Sequence, residues 1–219
     1  MAEYNIGYFI KQKRIELGIS QAELADGICS LATLSRIENG NNSPKQKHMS
    51  DLLQRLGCSD LQLLATMDDE QFKIVKTFFK MGDAFIIHDY ETARQHLKSL
   101  ELYHDRFTKP QRQQYELFEI MLSWDSDTPQ NLMARLEKAL KLTHPNYSVN
   151  SMPKVLTYEE ISAMNMLACC YGKIGDYETA TKILYHLKYH YDFVMSDTLE
   201  ALSTQPMILY NLSKYLEKW

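Results

Sequence analysis

Two histidines in the segment YHLKYHYD are the side chains whose spacing best suits metal binding. His186 and His190 are four residues apart, so both imidazoles would lie on one face of a helix, where they could clamp a zinc ion. No third ligand accompanies them in the sequence, and tyrosines flank both. His144, next to Pro145, lies in a loop and carries no signal. The pattern is more typical of an aromatic helix surface, and we predict no metal site.

The four cysteines do not form a metal-binding or disulfide pattern either. Cys169 and Cys170 are adjacent, Cys29 and Cys58 lie far from them, and no CxxC motif occurs. The motifs of serine hydrolases, P-loop NTPases and zinc peptidases are also missing. We therefore expect reduced thiols packed as small hydrophobic side chains, no cofactor, and no enzymatic activity.

The composition favours an all-α protein. The chain has 219 residues, 45% of them hydrophobic, which is enough to fill a core. Only 8 glycines and 6 prolines occur among many Leu, Met, Tyr, Lys and Glu residues, which favours helices over sheets. No apolar run approaches the length of a membrane span, and the charged N-terminus MAEYNIGYFIKQKR is unlike a signal peptide. We expect a cytoplasmic protein that does not contact the membrane.

Helix start and stop signals divide residues 1–66 into five short helices. Ser20 and Glu23 form a capping box for the second helix. Ser30 can cap the third helix, which ends at Gly40. The segment NSPK starts a fourth helix with cap and proline chemistry, and SDLQLLATM forms a fifth. Because the second and third helices are separated by only a few residues, the unit is predicted to be a helix-turn-helix module.

The residues of this unit resemble the XRE or Cro/repressor class of helix-turn-helix domains. The motif KRIELGISQAELADGI is followed by LSRIENG. The matching positions are Gly18, Ser20, Gln21, Leu24, Ala25, Leu34, Ile37, Glu38, Asn39 and Gly40. The resemblance implies that residues 1–66 are a domain that binds double-stranded DNA.

In such a module the third helix lies in the major groove, where its side chains reach base edges. Arg36 is placed to reach O6 and N7 of a guanine, whereas Ala32 and the methyl group of Thr33 suit a thymine methyl. Leu31 fits a packing role better, and a solvated helix residue is the alternative for Arg36. The candidate DNA contacts are Gln21, Ser30, Ala32, Thr33, Ser35, Arg36, Asn41 and Lys45.

Phosphate contacts are expected from the start of the second helix and from the loop after the third. Gln21 lies at the positive end of the second helix, and Asn41 and Lys45 follow the third. Arg14 is another candidate, but the resemblance implies that it forms an ion pair with Glu38 that braces the module.

The charge of the module bears on how it binds DNA. Residues 1–65 contain seven Lys and Arg and seven Asp and Glu, which gives a net charge of zero. A single uncharged copy gains little non-specific affinity from the phosphate backbone. We therefore predict a homodimer that binds a palindromic operator with paired half-sites.

The acidic segment TMDDEQF marks the start of a second unit, residues 67–219. Short polar breaks with caps or helix breakers separate helices of about 12 to 20 residues. The predicted helices are roughly 69–87, 90–103, 109–123, 128–142, 157–173, 177–192 and 198–218.

Two near copies of one hexapeptide occur in this unit, HDYETA at 88–93 and GDYETA at 175–180. A helix stop, an aspartate cap and a new helix make a tight antiparallel turn. Small and aromatic residues around the second copy resemble those of tetratricopeptide hairpins, although the period is irregular. The unit is thus predicted to be a right-handed array of tetratricopeptide-like helical hairpins, with a concave face that suits an extended peptide.

Two asparagines are candidates for binding that peptide. Asn165 and Asn211 are 46 residues apart, each within the first helix of a hairpin. An asparagine amide can pair with both the C=O and the N–H of a ligand backbone. The alternative is an asparagine that is exposed or that lies between helices.

The whole chain, a repressor-type module followed by degenerate repeats, resembles the Rgg/PlcR/PrgX-type cytoplasmic receptors of Gram-positive bacteria. These receptors bind short imported signalling peptides and control transcription. The resemblance implies a quorum-sensing regulator in which Asn165 and Asn211 hold the peptide backbone. Aligning Asn211 on Asn165 places a further GDYETA equivalent just past Trp219, so we expect the repeat array to be truncated at its C-terminus. Two other functions stay open: a phage-type repressor whose helical region only dimerises, and a tetratricopeptide adaptor for a protein partner.

Overall fold

The computed structural model describes residues 6–41, 46–57, 69–193 and 199–218. Every regular element in these ranges is a helix, apart from one isolated β-bridge between Ser148 and Ser151. The all-α prediction is confirmed. No helix in the described ranges is both long and apolar enough to cross a membrane.

The N-terminal module begins with four short helices. They are α1 (Ile6–Glu16), α2 (Gln21–Ala25), α3 (Leu31–Glu38) and α4 (Gln46–Arg55). The capping box of Ser20 and Glu23 forms at the start of α2, and the hydroxyl of Ser30 accepts a hydrogen bond from the amide of Thr33 at the start of α3. The predicted fifth helix and the NSPK cap of α4 lie outside the described residues.

Buried aliphatic side chains from all four helices form the core of the module. Ile10, Leu24, Leu34, Ile37 and Leu52 are each at most 1% exposed and pack in one cluster. Removing this much apolar surface from water is the main favourable contribution to folding the unit. The core fixes α3 so that its other face points away from the module.

Seven longer helices form the second unit, which we call the repeat body. They are α5 (Asp69–Ile86), α6 (Tyr90–Leu100), α7 (Lys109–Leu122), α8 (Pro129–Thr143), α9 (Tyr158–Lys173), α10 (Tyr177–Phe193) and α11 (Leu199–Leu216). All seven lie close to their predicted bounds. The clearest difference follows α6, where the chain tightens into a 3-10 helix over Glu101–Arg106.

Consecutive helices of the repeat body pack against each other as hairpins. In addition α7 contacts α9, and α9 contacts α11, so the first helices of successive hairpins lie side by side. A core cluster that includes Ile120, Leu136, Leu167, Leu187 and Ile208 runs through this stack. The repeat body is therefore an array in which each hairpin buries its apolar face against its neighbours.

The two copies of the repeated hexapeptide form equivalent turns. Gly175 has a φ of +85° and His88 a φ of +60°, so both residues end a helix in the left-handed conformation. The amide of the next residue bonds to the carbonyl five residues back, at 3.0 Å for Asp176 and 2.8 Å for Asp89. Each aspartate then caps the following helix at 3.0 Å. The duplication encodes a helix-hairpin turn.

Candidate functional site

The helix α3 presents one face to solvent and buries the other. Leu34 and Ile37 are buried in the module core, whereas Leu31, Ala32 and Arg36 are exposed. The packing role predicted for Leu31 is therefore wrong within the monomer, because Leu31 lies on the solvent face of α3. Because the buried face of α3 packs in the module core, the exposed side chains on its other face are free to approach base edges in a major groove. Ala32 and Arg36 thus have the accessibility that base reading requires.

The other candidate DNA contacts differ in their solvent exposure and in their hydrogen bonds within the protein. The hydroxyls of Ser30 and Thr33 lie 2.8 Å apart and bond to each other. Ser35 is half-buried and Asn41 is exposed. Lys45 lies outside the described residues. Of this group, Asn41 is the residue whose exposure best fits a phosphate contact.

Arg14 and Glu38 form the ion pair that the family resemblance implies. The Arg14 Nε and Nη2 atoms donate to the two Glu38 carboxylate oxygens at 2.6 and 2.9 Å. Gln21 Nε2 donates to the same carboxylate at 2.7 Å. Burial alone would raise the pKa of Glu38, but the hydrogen bonds from Arg14 and Gln21 outweigh it and lower the pKa. The Gln21 amide, expected at a phosphate, is used here to join α2 to α1 and α3.

A buried polar cluster joins the module to the repeat body. Arg55, at the end of α4, donates to the carbonyl of Asp26 and, at 3.1 Å, to the carbonyl of Thr143. Its Nη2 atom lies 3.5 Å from Glu160 Oε1, and His144 Nε2 lies 3.0 Å from the same oxygen. Asp26, Arg55, Thr143, His144 and Glu160 are called the interdomain cluster below.

The charges in this cluster compensate each other. The side chains of Arg55 and Glu160 are 3% and 0% exposed. Burial alone would raise the pKa of Glu160, but His144 and Arg55 outweigh it and lower the pKa to about 2. Removing one partner of such a pair leaves an uncompensated buried charge, which is strongly destabilising. The docked arrangement of module and body therefore depends on Arg55 and Glu160 both being present.

Backbone packing reinforces the docking. Gly27 lies in the turn between α2 and α3 with a φ of +70°, and a Cβ atom added there would be 2.1 Å from the carbonyl oxygen of Thr143. Only glycine permits this approach. Val155, in the loop before α9, is buried in the core cluster of the module. The two units thus share part of one core.

The histidines considered as metal ligands donate hydrogen bonds to the loop before α9. His186 Nε2 lies 2.7 Å from the carbonyl oxygen of Pro153, and His190 Nδ1 lies 3.2 Å from that of Lys154. Since a carbonyl can only accept, each of these ring nitrogens carries a proton. Lys154 in turn pairs with Glu23 of α2 at 3.2 Å. Across the described ranges, no three His, Cys, Asp or Glu side chains are arranged to hold a metal ion.

The described cysteines are packed as structural side chains. Burial raises the pKa of Cys29, Cys169 and Cys170, in the last case to about 11. The thiolate forms are therefore disfavoured at neutral pH. Cys58 lies outside the described residues.

A cavity of about 1460 Å³ lies where the repeat body faces the module. Helices α5, α7 and α9 line it, and the ends of α1 and α4 close one side. Six of its large apolar side chains are at least 37% exposed, namely Phe79, Ile86, Tyr90, Met121, Tyr158 and Met207. Typical small-molecule pockets measure about 300–1000 Å³, so this cavity suits a larger apolar ligand.

Aromatic rings form part of the cavity wall. Phe85 lies 5.2 Å from Phe118 and 5.6 Å from Tyr90, measured between ring centroids. Trp124 also lines the cavity, and the Lys173 ammonium lies 4.4 Å from its ring centroid. Such a wall favours apolar and aromatic ligand groups.

The two candidate peptide-binding asparagines are in direct contact. Asn211 Nδ2 donates to Asn165 Oδ1 at 3.0 Å, and the residues are 8% and 4% exposed. Asn165 lines the cavity. This bond corresponds to the alternative of an asparagine that lies between helices, because the two side-chain amides join α9 to α11. Asn165 is nevertheless also part of the cavity wall.

Sequence reasoning missed the interdomain cluster. Glu160 is readable only as the third residue of a capped helix, and Arg55 as an ordinary residue near a helix end. The one available signal is Gly27, a glycine two residues after the end of a very short helix, which marks a left-handed turn. Nothing in the sequence indicates what that turn packs against.

The module and its docked helical array define the class of this protein: a helix-turn-helix protein with a helical-repeat body. Residues 10–63 match the family model described as Helix-turn-helix, HTH_3. The N-terminal module is therefore a helix-turn-helix DNA-binding domain.

Solved structures extend the comparison to the whole chain. The chain is similar to Bacillus thuringiensis PlcR in complex with the peptide PapR7 and DNA, with 17% identity and a TM-score of 0.51, over 98% of this chain and 73% of that one. It is also similar to the Streptococcus dysgalactiae SHP pheromone receptor Rgg2, with 12% identity and a TM-score of 0.40, over 98% and 86%. No curated protein matches. The similarity to PlcR shows a shared fold and confirms the predicted architecture.

Proposed function

We propose that the protein is a transcriptional regulator of the quorum-sensing type. Residues 1–66 bind an operator, and residues 67–219 sense a short signalling peptide on their concave face. The observation that carries the proposal is the large, mainly apolar cavity on a repeat body that is docked to a DNA-binding domain. PlcR, whose fold the chain shares, was solved with a peptide and DNA.

The DNA-binding side of the proposal rests on α3. Arg36 and Ala32 are exposed on a helix whose opposite face is fixed in the core. A module without net charge needs a second copy to reach useful affinity, so the regulator acts as a homodimer on a palindromic double-stranded site. It works in the cytoplasm, where the chromosome of a bacterium lies.

The ligand side rests on the size and the lining of the cavity. An extended peptide buries apolar side chains against Phe79, Ile86 and Met121, which are exposed in the free protein. Asn165, which lines the cavity, pairs through its side-chain amide with the peptide backbone. Asn211 acts beside it through the hydrogen bond between the two amides.

Two selections on the full chain test the proposal. Random DNA duplexes are selected for binding, and an equimolar pool of synthetic heptapeptides is passed over the immobilised protein. We expect a palindromic DNA site and a small set of retained apolar peptides. Ser162→Trp, which fills the cavity from α9, serves as the control and should abolish peptide retention.

Each alternative function gives a different result in these selections. A palindrome with no retained peptide would identify a repressor whose helical region only dimerises. Peptide or protein binding without any selected DNA site would identify an adaptor. Either result overturns the proposal.

A further inference from the structure

We infer that the ligand in the cavity touches the DNA-binding module directly, and so bridges the module and the repeat body. The inference rests on the proposed function of the cavity as a peptide site. It adds that one wall of that site belongs to the helix-turn-helix domain, where the sequence predicted a site on the helical repeats alone.

The geometry of the cavity supports this second wall. The end of α1 contributes Lys13 and Glu16, Leu17 follows it, and α4 contributes Ser50 and Gln54. On the other side α9 presents Tyr158, Ser162 and Asn165. A ligand that fills the cavity therefore lies between an α1/α4 wall and an α9 wall.

The two walls meet at a polar contact. Gln54 Nε2 donates to Glu159 Oε2 at 3.2 Å, and both residues line the cavity. This contact lies one residue along the chain from Arg55 and Glu160 of the interdomain cluster. The junction of the ligand site is thus also the junction of the two units.

The module wall offers both apolar and charged groups. Leu17 packs against the module core while part of its surface stays accessible. Lys13 and Glu16 pair at 2.9 Å with side chains 44% and 59% exposed, which places an ion pair at the rim. This combination suits a peptide that has apolar side chains inside the cavity and a polar end at its mouth.

Contact with both walls has a thermodynamic consequence. A ligand shifts an equilibrium only by its differential affinity for the two states. A bridging ligand binds the docked arrangement more tightly than an undocked one, so its binding holds the module in the docked orientation. By linkage, DNA that prefers the docked orientation raises ligand affinity by the same factor.

Matched substitutions from opposite walls test the inference. Ser50→Trp projects bulk from α4, Ser162→Trp projects the same bulk from α9, and Ser99→Trp on the exposed face of α6 is the control. The probe is the equimolar heptapeptide pool, and mass spectrometry of the retained peptides is the readout. We expect Ser99→Trp to match the unsubstituted chain, and both cavity variants to lose retention by about tenfold or more.

A second variant tests the same wall in case Ser50→Trp does not fold. Lys13→Trp alters an exposed residue at the rim of the same wall, and circular dichroism verifies that each variant is folded. Loss of retention in Lys13→Trp and Ser162→Trp together supports the bridge.

The outcomes separate the two proposals. If only Ser162→Trp loses peptide while the α1/α4-wall variants retain it, the ligand lies on the repeat body alone and the bridge is refuted, whereas the peptide-sensing function stands. If the unsubstituted chain retains no peptide, peptide sensing is refuted and the bridge is refuted with it.

Discussion

Asn211 donates a hydrogen bond of 3.0 Å to the side-chain oxygen of Asn165, and this bond joins α11 to α9 at the edge of the cavity. The two positions are 46 residues apart and occupy corresponding places in successive hairpins. The pair therefore has a structural role in the free protein in addition to the ligand role proposed for it.

The Asn pair should show strong thermodynamic coupling. Asn165→Ala or Asn211→Ala alone leaves the other amide buried without this partner, which costs about 1–3 kcal/mol. The double substitution should cost less than the sum of the two. Urea denaturation of the four proteins measures the coupling, and strictly additive losses would show that the bond contributes nothing.

Docking of the module depends on the glycine in the helix-turn-helix turn. Gly18→Ala introduces a side chain at a φ of +65° with nothing within 4 Å of its Cβ, so it should cost only the left-handed strain of about 1–2 kcal/mol. Gly27→Ala adds a clash with the Thr143 carbonyl and should cost clearly more. Hydrogen exchange should increase around Thr143 and Glu160 in Gly27→Ala alone. Equal stability losses and equal exchange in both variants would contradict the close contact.

The interdomain cluster should make the free energy of unfolding depend on pH in the acidic range. The pKa of Glu160 is lowered from 4.5 to about 2 in the folded protein, so its contribution is fully present above about pH 4.5 and is lost as the pH falls toward 2. Glu160→Gln leaves Arg55 without its carboxylate and should cost about 3–5 kcal/mol at neutral pH. That difference should shrink steadily as the pH falls from about 4.5 toward 2.

Urea denaturation across this pH range gives the measurement. Glu217→Gln, which alters an exposed carboxylate just after α11, is the control and should change stability little at any pH. A cost of Glu160→Gln that is the same at all pH values would show that Glu160 is not ionised in the folded state.

The two copies of the hairpin turn should respond in opposite directions to residue exchange. His88→Gly relieves left-handed strain of about 1–2 kcal/mol but adds about 0.4–1 kcal/mol of chain entropy to the unfolded state and removes the exposed hydrogen bond to the Tyr90 hydroxyl, so it should stabilise by at most about 1.5 kcal/mol. Gly175→His, at a φ of +85° with no atom within 4 Å of an added Cβ, should destabilise by a similar amount. Thermal unfolding of both variants measures these changes, and a shift of the same sign in both would contradict the equivalence of the turns.

Arg36 should contribute to sequence-specific binding rather than to general DNA affinity. Arg36→Ala is expected to weaken binding to the selected operator by about 1–3 kcal/mol and to change binding to random DNA little. Lys98→Ala, an exposed cation on α6, is the matched control. Fluorescence anisotropy with both duplexes distinguishes the cases, since an equal loss on both would make Arg36 a phosphate contact.

Local features of the fold were readable from the sequence because their causes are local. Capping residues fixed the starts of α2 and α3, and Asp89 and Asp176 marked the hairpin turns. The exposure of Arg36 followed from helical periodicity around Leu34. In each case residues within one helical turn determine the outcome.

The arrangement of the two units was not readable because it depends on contacts between distant residues. Arg55 meets Glu160 across more than a hundred positions, and Gly27 meets Thr143 in the same way. The hydrogen bond between Asn165 and Asn211 likewise depends on how two hairpins stack. Single-sequence patterns carry no information about such pairings.

The interdomain cluster also limits how this protein can exchange parts with others. A chimera that placed a foreign helix-turn-helix domain on this repeat body would have to supply a guanidinium for Glu160 and a bare backbone against Thr143. A donor domain with an aliphatic residue at the Arg55 position would leave the Glu160 carboxylate with His144 as its remaining charge partner in the cluster. A donor domain with any side chain at the Gly27 position would clash with the Thr143 carbonyl. Recombination between related genes is thus expected to transfer the two units together, although each has a helical architecture of its own.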